Sequence, residues 1–311
     1  MEKGERIFVA GHEGMIGSAI LRRLKEDSFT NLVTRASSEL DLTDQKVVFD
    51  FFIDEKPDYV FLSSSKVGGI LANSRYPAEF IYKNIQTQTN VIHSAWRSGV
   101  KKLLFLGSSC IYPKDCPQPM KEEYVMSSKL EPTSEPYAVA KIAGIKMCQS
   151  YSRQYGTDYI SVVPADVYGP NDDFDPETSH VLPALIRKIH KAKSSNKRKV
   201  VVWGTGLPRR ECLHVDDLAD ACVFLMKNYG NPEMINVGSG EDLSIRELVG
   251  LISDVIDFKG EVSFDKSKPD GALRKLLDDS KIRRLGWSPK INLNEGIRQT
   301  YQWYENHVRG D

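Results

Sequence analysis

This sequence predicts an α/β chain built on a doubly wound parallel sheet, and three observations carry the prediction. From the N-terminus to about residue 165, short apolar runs alternate with segments of helical periodicity, the pattern of buried strands joined by helical crossovers. The first run ends in Gly11-His12-Glu13-Gly14-Met15-Ile16-Gly17 and leads straight into a helical pattern, the order of a phosphate-binding turn. Beyond residue 170 the alternation loosens. The expected division is therefore a sheet domain over 1–170 and a smaller lobe over 171–311, with some segments of the lobe returning to the sheet.

Arg6–Ala10 is the first strand and Ser18–Lys25 the helix after the glycine loop. In the loop, Gly11 allows a tight turn, Gly14 lets a pyrophosphate approach the backbone, and Gly17 lets helix and strand pack closely. Leu32–Arg35 reads as the second strand, whose end meets the adenosine ribose in dinucleotide folds. Arg35 there suits a 2′-phosphate and favours NADP(H) over NAD(H), while Glu13 in the loop leans the other way by like-charge repulsion. Asp41-Leu42 fits either the adenine pocket or an ordinary loop. Val47–Ile53 is helical, and Pro57–Leu62 is a third strand running into a polar, flexible loop, Ser63–Ile70. A helix over roughly 77–98 precedes the fourth strand, Lys102–Leu106, which delivers Ser108, Ser109 and Cys110 to the end where ligands bind in such sheets.

Glu135-Pro136-Tyr137-Ala138-Val139-Ala140-Lys141 opens the next helix, since proline suits a first turn. Tyr137 and Lys141 are four apart and share a face. An ammonium so placed is expected to lower the phenol's pKa, and a phenol tuned towards neutrality can exchange a proton with a carbonyl oxygen as hydride is transferred. The plain alternative is a surface tyrosine and a solvated lysine. Tyr159–Pro164 is a further strand. In the second half, Ser179-His180 starts a helix running into a basic segment, Arg187–Lys199, which reads as a solvated face or a phosphate patch. Val200–Trp203 is a strand, Gly204–Arg210 a turn with paired arginines, and helices near Val215–Leu225, Ser244–Ile256 and Leu293–Tyr304 flank short strands.

Composition narrows the function classes. The 42 Lys and Arg balance the 42 Asp and Glu, so no overall field favours nucleic acid or an acidic membrane. No apolar run is long enough to span a bilayer, and no signal-peptide pattern opens the sequence. Five cysteines without framework spacing suggest reduced thiols and a cytoplasmic home.

With Gly11, Gly14, Gly17, Ser108, Tyr137 and Lys141 in order, the chain resembles the extended short-chain dehydrogenase/reductases, Rossmann-fold enzymes, over nearly its whole length. Within that family it is most similar to members that epimerise and reduce GDP-4-keto-6-deoxy-mannose. The stretches that carry the match are AGHEGMIGSAI, KVGGI, GSSCIYP, EPYAVAKIAGIK, VYGP, SHVLPALIR, ECLHVDD and SKPDG. The resemblance implies Cys110 and His180 as the acid and base of two epimerisations, at C3 and C5, beside a C4 ketone. It implies Ser108 and Tyr137 on the C4 oxygen and Lys141 on the nicotinamide ribose. Cofactor contacts would also come from Met15, Ile16, Leu42, Pro164, Val167 and His180. Lys188, Trp203, Arg210 and Asp270 would touch the GDP-sugar, and a homodimer would form through helices over 77–98 and 134–155. No metal is implied. The chain departs from the family pattern at Glu13 and Ser37, where basic residues are common, at Ser63–Ser65, at Asp166 in place of Asn, and at Lys188 in place of Arg. The rival readings are the same chemistry, or C4 reduction alone, on another GDP-4-keto sugar such as a dideoxyhexose or heptose. Outside enzymology, a dinucleotide-binding domain that senses redox state or scaffolds an interface fits the same residues.

Overall fold

The computed structural model describes residues 1–268 and 270–308; Pro269 of the SKPDG stretch lies outside them. The first half runs β1 (Ile7–Ala10), α1 (Met15–Glu26), β2 (Leu32–Val33), α2 (Gln45–Glu55), β3 (Tyr59–Leu62), α3 (Ile70–Arg75), α4 (Pro77–Arg97), β4 (Lys102–Leu106), α5 (Glu135–Tyr155) and β5 (Asp158–Pro164). The second half continues with β6 (Asp166–Tyr168), α6 (Val181–Ser194), β7 (Lys199–Trp203), β8 (Arg209–His214), α7 (Val215–Asn228) and β9 (Ile235–Val237). It ends with β10 (Asp242–Ser244), α8 (Ile245–Ile256), β11 (Glu261–Asp265), β12 (Arg274–Lys275), α9 (Ser280–Arg284) and α10 (Leu293–His307).

Six parallel strands form the main sheet in the order β2-β1-β3-β4-β5-β9. The winding reverses between β1 and β3, and at such a switch point ligands bind outside the carboxyl ends of the strands. Because all six strands point the same way, the loops after β1, β3, β4 and β5 share one edge.

The local chemistry explains most boundaries. Gly14 is the N-cap of α1, so the helix starts at Met15, a turn earlier than the apolar periodicity suggests. β2 is shorter than expected: only Leu32 and Val33 pair with β1, and Thr34 and Arg35 leave the sheet edge. Asp44 caps α2 by accepting from the Val47 N–H at 3.0 Å. Pro136 lies in the first turn of α5, and Gly156 ends the helix at a φ of 68°. The segment after β3 is more ordered than its polar composition suggests. Buried Asn84 accepts from Ser65 Oγ at 2.6 Å and from the Lys66 N–H at 2.9 Å, and donates to the Lys66 carbonyl.

The second lobe is organised around β8, which pairs antiparallel with β10 and parallel with β12 and β6, while β7 and β11 form a separate parallel pair. Its core packs Leu185 and Ile186 of α6, Leu248 and Ile252 of α8, and Ile297 of α10. β9 belongs to the main sheet through β5. Among the described residues, no helix is long and apolar enough to cross a membrane.

Candidate active site

The glycine loop sits at the carboxyl end of β1. A Cβ at Gly11, whose φ is +83°, would come within 2.7 Å of the Ser64 N atom, and one at Gly17 would collide with the Gly11 carbonyl. Neither position admits a side chain, so α1 and the β3 loop close tightly over the turn. Gly14 offers α1 no side-chain cap, and the first-turn N–H groups, including those of Met15, Ile16 and Gly17, lack intrahelical partners. His12 Nδ1 is buried in the loop with no hydrogen-bond partner. A pyrophosphate fits this cradle of free donors.

Ser108, Cys110, Tyr137 and Lys141 gather beyond the end of β4. Ser108 opens a short 3₁₀ turn, Ser109–Ile111, and its Oγ accepts from the Cys110 N–H at 3.3 Å. Tyr137 is 9% exposed, packed edge-on to Phe80, and hydrogen-bonded to the Ser108 and Ser65 hydroxyls. Lys141 is 3% exposed and donates to the Leu106 carbonyl at 2.8 Å. Its Nζ lies 4.9 Å from the Phe105 ring centroid and 5.8 Å from that of Tyr137.

The electrostatics differ from the sequence expectation. Burial pushes the phenol of Tyr137 up, a nearby Cys110 adds to the rise, and the two serine bonds oppose it. Lys141 does not lower it. Burial brings the amine itself from 10.5 down to about 7, with no carboxylate to hold its charge. The reason is distance and desolvation: the ammonium is aimed at a carbonyl on β4, and both groups are taken out of water. Tyr137 is therefore a protonated phenol at neutral pH.

Cys110 has a partner that sequence reasoning missed. Lys275, half-buried on the two-residue strand β12, donates to Cys110 Sγ at 3.7 Å. The Cys110 thiol and Asp166 raise the Lys275 amine, while desolvation and Arg210 oppose them. His180 is the N-cap residue of α6. Burial of the imidazole lowers its pKa; Asp166 and Asp173 oppose that shift and Lys275 adds to it. Lys275 thus touches the thiol and, with Asp166, bears electrostatically on the imidazole. The remaining cysteines are half-buried Cys116 and buried Cys148, Cys212 and Cys222, whose thiols burial pushes up and leaves unreactive.

The expected sugar-nucleotide residues lie on the second lobe. Trp203 ends β7 and is 52% exposed, with Lys268 Nζ 5.5 Å from its ring centroid. Arg210 on β8 lies 3.9 Å from Asp166 and donates to the Arg209 carbonyl. Lys188 is exposed on α6. Asp270 commits both oxygens to Thr205, accepting from its N–H at 2.6 Å and its Oγ1 at 2.8 Å. It fixes the 204–206 turn, where Gly204 leaves room for it.

The expected cofactor residues divide. Pro164 ends β5 and Val167 lies on β6 beside it, both at the carboxyl edge. Leu42 is half-buried, with its carbonyl accepting from Asn90 at 3.0 Å. Arg35 does not stand free for a phosphate as the sequence suggested: its guanidinium is ion-paired with Glu55 and lies over the Phe51 ring.

A model of the NAD dependent epimerase/dehydratase family matches residues 7–238. The chain is 59% identical over 307 residues to GDP-L-fucose synthase 1 of Arabidopsis thaliana, covering 99% of this chain and 95% of that protein. It is 52% identical over 315 residues to the GDP-L-fucose synthase of Escherichia coli, covering 98% of each. Among solved structures, a GDP-mannoheptose C4 reductase from Campylobacter jejuni with NADP bound matches with a TM-score of 0.90 at 40% identity, over 98% of this chain and 99% of that one.

Proposed function

Because the chain belongs to the NAD dependent epimerase/dehydratase family, we propose that it converts GDP-4-keto-6-deoxy-D-mannose to GDP-L-fucose. It epimerises C3 and C5 and then reduces C4 with hydride from a nicotinamide dinucleotide, NADP(H) being the form a relative carries. The relatives of 50% identity and above support the substrate, and the NADP-bound relative supports the cofactor.

The C4 ketone acidifies the protons on both flanking carbons. Cys110 and His180 serve as the acid–base pair, one removing a proton from C3 or C5 and the other returning one to the opposite face. The enolate oxygen at C4 accepts hydrogen bonds from Ser108 and Tyr137. The Lys275 ammonium balances charge at the Cys110 sulfur as protons come and go. A nicotinamide, when bound, would supply hydride to C4, and Tyr137 would protonate the C4 alkoxide, a role suited to a phenol that keeps its proton. Lys141 would bond the nicotinamide ribose. Lys188, Trp203, Arg210 and Asp270 hold or shape the site for the GDP moiety, where a guanidinium can bond two diphosphate oxygens at once. The enzyme works in the cytoplasm as a homodimer joined through α4 and α5, a reading supported by its free thiols and by exposed Tyr82, Val139 and Tyr155 on those helices.

The observation that carries this reading is the convergence of Ser108, Cys110, Tyr137 and Lys275 beyond β4. Incubation with GDP-4-keto-6-deoxy-mannose in D2O tests it. Deuterium should enter C3 and C5 without added cofactor, and reduced cofactor should then yield GDP-L-fucose. Reduction without exchange would leave a simple C4 reductase.

A further inference from the structure

The loop after β2 is where a dinucleotide's adenosine ribose rests in this fold, and the residue placed there decides whether a 2′-hydroxyl or a 2′-phosphate is welcome. In this chain the loop carries one basic residue over positions 34–40, Arg35. Its guanidinium is already committed: it is ion-paired with Glu55, donates to the Thr34 carbonyl at 2.8 Å, and lies 5.7 Å from the Phe51 ring centroid.

The backbone donors of the same loop face carboxylates. Glu13 reaches across from the glycine loop, and its Oε2 accepts from the Ser37 N–H at 3.1 Å. Glu39 Oε2 accepts from the Ala36 N–H at 2.8 Å. The backbone around Glu13 is itself anchored, since Asn171 donates to the Glu13 carbonyl at 2.8 Å. A carboxylate therefore spans the gap between the glycine turn and the β2 loop. A ribose 2′-hydroxyl can donate a hydrogen bond to that carboxylate. A 2′-phosphate carries only acceptors and nearly two negative charges, so it meets repulsion instead.

We propose that Glu13 sets the cofactor selectivity of this chain, so that it binds NADH at least as tightly as NADPH. The inference rests on the reading that the glycine loop holds a nicotinamide dinucleotide and refines which one is used. Both dinucleotides bring the same hydride to C4, so the reaction is unchanged and only its coupling to the cell's reductant pools differs.

Equilibrium titration of the intact protein with NADH and with NADPH, followed by calorimetry, tests the proposal without reliance on turnover. The expected Kd for NADH is equal to or below that for NADPH. In Glu13→Arg, NADPH should tighten by about tenfold or more while NADH changes by less than about threefold, the gain expected when a repelling charge becomes a bidentate partner. Glu13→Gln, which removes charge at constant size, should give a smaller gain in the same direction. A wild-type preference for NADPH beyond about threefold, or a selectivity untouched by both substitutions, overturns the proposal while leaving the dinucleotide reading intact. Failure of both dinucleotides to bind overturns that reading and this proposal together.

Discussion

Replacing Glu211 with Gln tests how a buried carboxyl holds the second lobe against the site. Glu211 is 2% exposed on β8. Its Oε1 accepts from the Gly240 N–H and its Oε2 from the Leu277 N–H, both at 2.8 Å. The Leu277 bond ties down the segment that carries Lys275. Burial raises the Glu211 pKa from 4.5 to about 7, with Asp279 adding to the rise and the backbone bonds opposing it. Between those two values the unfolded chain has lost its proton while the folded chain keeps it. The unfolded state then binds fewer protons, so stability falls as pH rises. The contribution is complete below pH 4.5 and is lost as pH passes about 7. A gap of about 2.5 units at about 1.4 kcal/mol each amounts to roughly 3 kcal/mol. Gln cannot titrate, and its amide offers one acceptor oxygen, so one backbone N–H loses its partner at a cost of about 1–3 kcal/mol. Wild type should therefore be the more stable protein at acid pH, and its advantage should shrink or reverse above neutrality. Urea unfolding of both proteins from about pH 5 to pH 8 at constant ionic strength measures the difference. Two curves that stay parallel across that range would refute the assignment of a neutral buried carboxyl.

Four further outcomes follow from the site. Tyr137→Phe should lower reduction by about 10²–10⁴-fold by removing the phenolic proton, while cofactor binding, followed by fluorescence, persists. Gly17→Ala should abolish dinucleotide binding in the same assay, because the added methyl meets the Gly11 carbonyl. Lys275→Met should slow deuterium exchange at C3 and C5 by about 10²-fold, measured by mass spectrometry, with the Kd for the cofactor unchanged. Since the surroundings lower the His180 pKa below 6.5, its imidazole stays neutral into mildly acid solution. The exchange rate should accordingly hold below the usual histidine midpoint and fall only at lower pH in a pH–rate profile.

How far the sequence reached depended on how local each feature is. The glycine turn was legible because the run from Gly11 to Gly17 carries its own backbone requirements, and no distant residue has to be known. The helical face shared by Tyr137 and Lys141 was legible for the same reason, as a spacing of four. Their electrostatics were not, because the Leu106 carbonyl and Phe105 that receive Lys141 lie 35 and 36 residues away on β4. Arg35 looked like a phosphate ligand until Glu55, at the end of α2, was brought beside it. Lys275 gave no signal at all. β12 has two residues, and its place beside Cys110 follows from its pairing with β8 and from the Glu211 bond to Leu277. Asp270 came into view only through the resemblance, as a GDP-sugar contact, and its bonds to Thr205 across 65 residues of sequence had no local signal.

The same burial that misled the electrostatic expectation gives the site its working logic. Lys141 is held without a carboxylate partner and Tyr137 without a base, so both are driven towards their neutral forms. Burying an unpaired amine is destabilising, and such groups persist where function requires them. Tyr137 and Lys141, close to neutral at rest and taken out of water, leave the charge created at the C4 oxygen poorly screened by solvent. Hydroxyl dipoles already aimed by Asn84, Ser65 and Ser108 then act on that charge in a low-dielectric setting, where they are worth more than in solvent. On this argument the selectivity for a ketone over its alcohol comes from the developing enolate or alkoxide itself. A neutral alcohol at C4 would gain little from donors pre-set for an anion.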